Sequence, residues 1–158
     1  MVSFHHHLSA MSGTVDFNDM VRSGRGLPSK WHDHVNAYLA NPHGARMIVI
    51  RYEDLKRDTL AQLRRFCEFV GIERSDAALT NAIAKTTFER MRLKEQKTGW
   101  ETPGWPKDKP FIRRGVVGSF VDEMPADVLE AFMVDARATL TATGYLEERD
   151  PAGAKPRP

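Results

Sequence analysis

Met47-Ile48-Val49-Ile50-Arg51-Tyr52-Glu53-Asp54 is an unbroken apolar run that ends abruptly in charge. Behind the turn signal Asn41-Pro42-His43-Gly44, the run Met47 to Ile50 predicts a strand covered on both faces. In open α/β sheets, ligands collect beyond the carboxyl ends of strands, so Arg51 to Asp54 is a place to look for function. Tyr52 there either packs or offers its hydroxyl to a ligand.

Helical patterns surround this run. Thr59 to Val70 puts Leu60, Leu63, Cys67 and Val70 on one stripe, and Gly71 is placed to end the helix in a left-handed conformation. Ser75 or Asp76 can cap the next helix, which carries Leu79 and Ile83 and runs on into Thr86-Thr87-Phe88. Glycine and proline breakers between Lys97 and Pro110, with Trp100 and Trp105 among them, predict an irregular loop. Pro125 suits the first turn of a final helix, with Leu129, Phe132, Met133, Ala136 and Leu140 on its apolar stripe and Gly144 at its end. Upstream, Val15 to Val21 and Trp31 to Leu39 read as helices joined by the loop Ser23 to Pro28. The expected organisation is one domain over residues 1–148 and a disordered tail over 149–158.

A chain of 158 residues, 41% hydrophobic and 28% charged, suffices for a single core. Basic and acidic residues number 23 and 21, so any anion must be held by locally placed bases, and general nucleic-acid binding is not expected. The single cysteine, Cys67, excludes an intrachain disulfide framework and fits a reducing, cytoplasmic setting. The sequence has neither an apolar run of the roughly 20 residues a membrane helix needs nor the order of a signal peptide, so no membrane partner is expected.

Several residues could carry chemistry. Phe111-Ile112-Arg113-Arg114-Gly115-Val116-Val117-Gly118 sets two guanidinium groups beside two glycines. Guanidinium forks match phosphate oxygens, and glycine lets backbone N–H groups approach an anion. From the residues alone, the pair is either a solvated face or a phosphate site. Phe88, after two threonines, is either a core residue or a stacking surface for a purine. Consecutive helical residues point about 100° apart, so His5-His6-His7 cannot all grip one ion and no metal is expected. His32 and His34 flank Asp33 without a serine or cysteine nucleophile in the pattern, and read as surface and packing residues.

Four segments, in this order, resemble the sulfotransferases that use 3'-phosphoadenosine 5'-phosphosulfate (PAPS). They are Val2-Ser3-Phe4-His5-His6-His7; Ser29 to Val35 leading to Arg51-Tyr52-Glu53-Asp54-Leu55; Thr86-Thr87-Phe88-Glu89-Arg90-Met91; and Phe111 to Gly115 with Gly118. The resemblance spans about residues 2–146. It implies that Ser3, Arg113, Arg114 and Gly115 bind the 3'-phosphate and that Tyr52 touches the adenine. It further implies that Phe88 stacks on the base, with Thr86, Thr87 and Met91 beside it. Arg114 stands where the family usually has lysine, and Ser119, Phe120 and Val121 replace its usual aspartate, tryptophan and lysine. The lysine, threonine-valine and glutamate dimer motif of some members is missing before Phe111, so no oligomeric state is implied.

The resemblance implies an α/β fold of the P-loop nucleoside triphosphate hydrolase type, expected here as an N-terminally truncated and mostly helical piece with one or few strands. The implied activity is sulfuryl transfer from PAPS to a hydroxyl or amine of a small-molecule acceptor. The family's 5'-phosphosulfate loop and catalytic histidine precede the region matched by Ser3. No catalytic residue is therefore assigned to this chain, and alone it is expected to be a poor catalyst or none. His7, Trp100 and Trp105 are candidates for lining the acceptor pocket. The competing expectation is a helical interaction fragment without a nucleotide site; a nucleic-acid module comes third.

Overall fold

A computed structural model describes residues 1–146. The expected tail over residues 149–158 lies outside the described residues. The chain divides into two compact units. One joins Val15–His43 to the segment beginning at Met124, and the other joins Val2–Thr14 to Gly44–Glu123.

In the first unit, α2 (Phe17–Ser23) and α3 (Trp31–Ala40) pack on α8 (Ala126–Ala142). The start of α2 is fixed by Asp16, whose carboxylate accepts from the Asp19 N–H at 3.0 Å, so the helix begins two residues later than the apolar spacing predicts. Met20, Val21, Val128 and Ala136 form the buried core. Polar and aromatic contacts flank it. Thr139 donates to Asn36 at 2.9 Å, Lys30 pairs with Asp135 at 2.8 Å, and the Trp31 and Phe132 rings lie 5.5 Å apart. Pro125 stands just before α8 as its N-cap rather than inside the first turn.

The second unit holds α1 (Val2–Ser12), α4 (Tyr52–Arg57), α5 (Thr59–Val70), α6 (Asp76–Lys85) and α7 (Phe88–Thr98), with a short 3-10 helix at Ser119–Asp122. Local chemistry sets the boundaries of α5. The Asp58 carboxylate accepts from the Ala61 N–H at 2.9 Å, and Gly71, at φ +72°, lets Ile72 donate to Cys67 O at 2.9 Å. Of the two candidates Ser75 and Asp76, it is Ser75 that caps α6, accepting from the Ala78 N–H at 3.3 Å. In α4, the buried Asp54 accepts from Arg51 at 2.7 Å and from Arg57 at 2.5 Å. The Arg51 hydrogen bond, aided by the charges of both arginines, holds the Asp54 carboxyl below its usual range against the opposing effect of burial.

The strand expected at Met47–Ile50 is not formed, and no strand is present among the described residues. A strand exists only by pairing with another, and here the Val49 carbonyl takes a long side-chain contact from Arg65 at 3.4 Å instead. Nor is the run covered on both faces, since Met47 is 43% and Val49 50% exposed while Ile48 and Ile50 are half-buried. The mostly helical character of the expectation holds for the described residues.

Candidate functional site

The second unit contains all the residues singled out for the nucleotide. Thr86 and Thr87 form the joint between two helices, Thr86 closing α6 and Thr87 capping α7. Each hydroxyl has one donor and two acceptor sites. Thr86 spends its proton on Ala82 O at 3.0 Å, which leaves it able to accept. Thr87 accepts from the Arg90 N–H at 3.3 Å, which leaves it able to donate. Phe88 is the first residue of α7, and Met91 lies one turn on along the same face.

Gly115 links this joint to the arginine loop. It sits at φ +61°, and a Cβ built on it would lie 2.5 Å from two carbons of the Phe88 ring. Only a bare backbone fits there, in a conformation that L side chains rarely adopt. The aromatic plate and the segment carrying Arg113 and Arg114 therefore meet in one place. Glu95, from α7, fixes the loop's start by accepting from the Phe111 N–H at 2.5 Å and the Ile112 N–H at 3.0 Å.

Both guanidinium groups are engaged by carboxylates. Arg113 donates to Glu123, while Arg114 donates to Asp122 at 2.8 Å and to Glu123 at 3.4 Å. His6 Nε2 lies 2.9 Å from the same Glu123 oxygen that Arg113 engages. Burial pushes the Glu123 carboxyl up, but the His6 hydrogen bond and the Arg113 charge outweigh it and hold the group below its usual range. The Asp122 hydrogen bond, opposed by burial, raises the Arg114 value still further above neutrality.

Ser3 is exposed in the first turn of α1, one turn before His6 and on the same face. Tyr52 opens α4 and is 45% exposed. Among the described residues, no hydrogen bond or ring contact joins Ser3 or Tyr52 to Phe88 or Arg113. The structure thus brings Phe88, Gly115 and the arginines together, but adds no direct tie to these two. Of the three histidines, His6 reaches Glu123 and meets the His5 ring edge-on at 5.7 Å, while His7 stacks on Trp105 at 5.5 Å. Beyond Trp105, Phe111 packs edge-on at 5.1 Å and lies flat against Trp100 at 4.0 Å. Among the described residues, no group of three or more His, Cys, Asp or Glu side chains could hold a metal.

Sequence reasoning missed Glu95 and Glu123. Glu95 carries a weak signal, since a carboxylate on the last turns of a helix before a breaker-rich loop can cap that loop. Glu123 carries none that is local.

A profile of the sulfotransferase domain matches residues 1–144. Sulfotransferase 1E1 of Mus musculus is 25% identical over 120 residues, covering 74% of this chain and 41% of the mouse protein. Sulfotransferase 1C2 of Homo sapiens is 24% identical over 141 residues, covering 84% of this chain and 48% of the human one. The fold resembles that of mouse sulfotransferase SULT7A1, solved in complex with PAP, with a TM-score of 0.69 and 20% identity over 92% of this chain and 58% of that one. The chain spans about half the length of these relatives or somewhat less. It belongs to the sulfotransferase domain family.

Proposed function

We propose that this chain grips the adenosine and 3'-phosphate end of PAPS and serves sulfuryl transfer to a hydroxyl or amine of a small-molecule acceptor. The observation that supports the reading is the seat of Phe88 on Gly115, the residue that directly follows Arg113 and Arg114 in the chain. With one flank of the ring on Gly115, the other is the side for a base, and stacking there is worth about 1 to 3 kcal/mol. Arg113 and Arg114 hold the 3'-phosphate with Gly115 and with Ser3 from α1. Thr86 accepts from the base's amino group, Thr87 donates to a ring nitrogen, and Met91 and Tyr52 border the base. Bound PAPS would supply the sulfuryl group. In this reading the fold is of the P-loop type and the chain acts in the cytoplasm.

Thermal shift tests the reading. At a hundredfold excess over Kd, a ligand of the native state adds about 2.7 kcal/mol. 3',5'-Adenosine bisphosphate is expected to raise the melting temperature well above the effect of 5'-AMP, and Arg113→Ala should erase the difference. Equal or absent responses would favour an interaction fragment instead.

A further inference from the structure

Glu123 has only 16% of its side chain exposed, yet three cationic or potentially cationic groups converge on it: Arg113, Arg114 and His6. Asp122, beside it, is 64% exposed and touches Arg114 alone among them. Glu123 is thus the enclosed anion of the cluster, and both adjacent arginines point donors at it. A carboxylate and a phosphate offer the same kind of acceptor oxygens to a guanidinium fork, so they compete for it. Two anions crowded into a half-enclosed seat repel each other.

We infer that Glu123 is a built-in competitor of the 3'-phosphate, a residue that sets nucleotide affinity by exchanging places with the phosphate between Arg113 and Arg114. The inference rests on the proposed nucleotide reading. A dianionic phosphate displaces the carboxylate because it brings more charge and a third acceptor oxygen to the same donors. A 3'-hydroxyl brings no charge and leaves Glu123 in place. Glu123 therefore lowers the affinity for 3'-phosphorylated nucleotides while leaving 3'-hydroxyl nucleotides untouched, and so narrows the gap between the two.

Titration calorimetry of the full chain with 3',5'-adenosine bisphosphate and with 5'-AMP tests this. Glu123→Gln keeps the shape and removes the charge, and should bind the bisphosphate about fivefold to tenfold more tightly, with 5'-AMP binding unchanged. Should Glu123→Gln fail to fold, as judged by circular dichroism, Glu123→Asp serves. Its carboxylate is drawn back by one methylene, and it should also bind the bisphosphate more tightly than the parent. Bisphosphate binding that is unchanged or weaker in the folded variant overturns the inference, because Glu123 would then hold the arginines in place for the ligand. If the parent prefers the bisphosphate through Arg113 and the variant shows no gain, the inference alone fails. If parent and variant bind both nucleotides alike, or neither, the nucleotide reading fails and takes the inference with it.

Discussion

Gly115 concentrates the site's geometry in a single missing side chain. Its left-handed φ and the nearness of the Phe88 ring each disfavour any larger residue. Gly115→Ala is expected to cost about 1 to 2 kcal/mol through the backbone alone. It should also push Phe88 off its seat, weakening binding of 3',5'-adenosine bisphosphate and of 5'-AMP together, since both carry the base. Urea unfolding and titration calorimetry read the two effects separately. A variant as stable as the parent and with unchanged nucleotide affinity would show that ring and backbone are not in contact. At this scale the sequence exposes residue types but not their partners. The pair Arg113-Arg114 stands out because the residues are adjacent, whereas Glu123 becomes visible only when the chain brings it back beside them and His6 arrives from α1.

Elements were legible where their signals are local. The α5 helix runs from Thr59 to Val70 as its stripe predicts, because Asp58 and Gly71 act within a turn of its ends. The predicted strand failed for the opposite reason: hydrogen bonding in a strand requires a partner, which a run of four apolar residues does not supply. Between them lies α4, a helix that pattern reading did not assign. It is a single short stretch pinned by Asp54, which draws Arg51 from before its first residue and Arg57 from its last. Because the Asp54 carboxyl is held below its ordinary 3.8, the stability it lends is present above that value and is lost as pH falls through the lower folded value. Asp54→Asn should therefore be less stable than the parent at neutral pH and approach it in acid. Acid unfolding followed by circular dichroism checks this, and parallel curves for the two proteins would show that Asp54 is not coupled to folding.

Across the whole molecule, buried apolar side chains are few among the described residues and are divided between two units, so each carries a large part of its unit's stability. Met20 is completely enclosed in the first unit. Met20→Ala should cost about 2 to 5 kcal/mol, seen as faster amide hydrogen exchange in α2 and α8. Unchanged exchange there would mean that Met20 is not part of that core. The family could be read from the order of its segments along the chain, since order survives where identity has fallen to about a quarter. Distances between those segments could not be read that way, because side chains far apart in sequence meet only through the packing of α1, α7 and the arginine loop. That packing has a mechanical side at residue 115. With no spacer between ring and main chain, the surface that would face a purine is braced against the backbone that directly follows the two arginines. A displacement of that stretch of main chain would therefore be felt at the ring, and a displacement of the ring at the main chain.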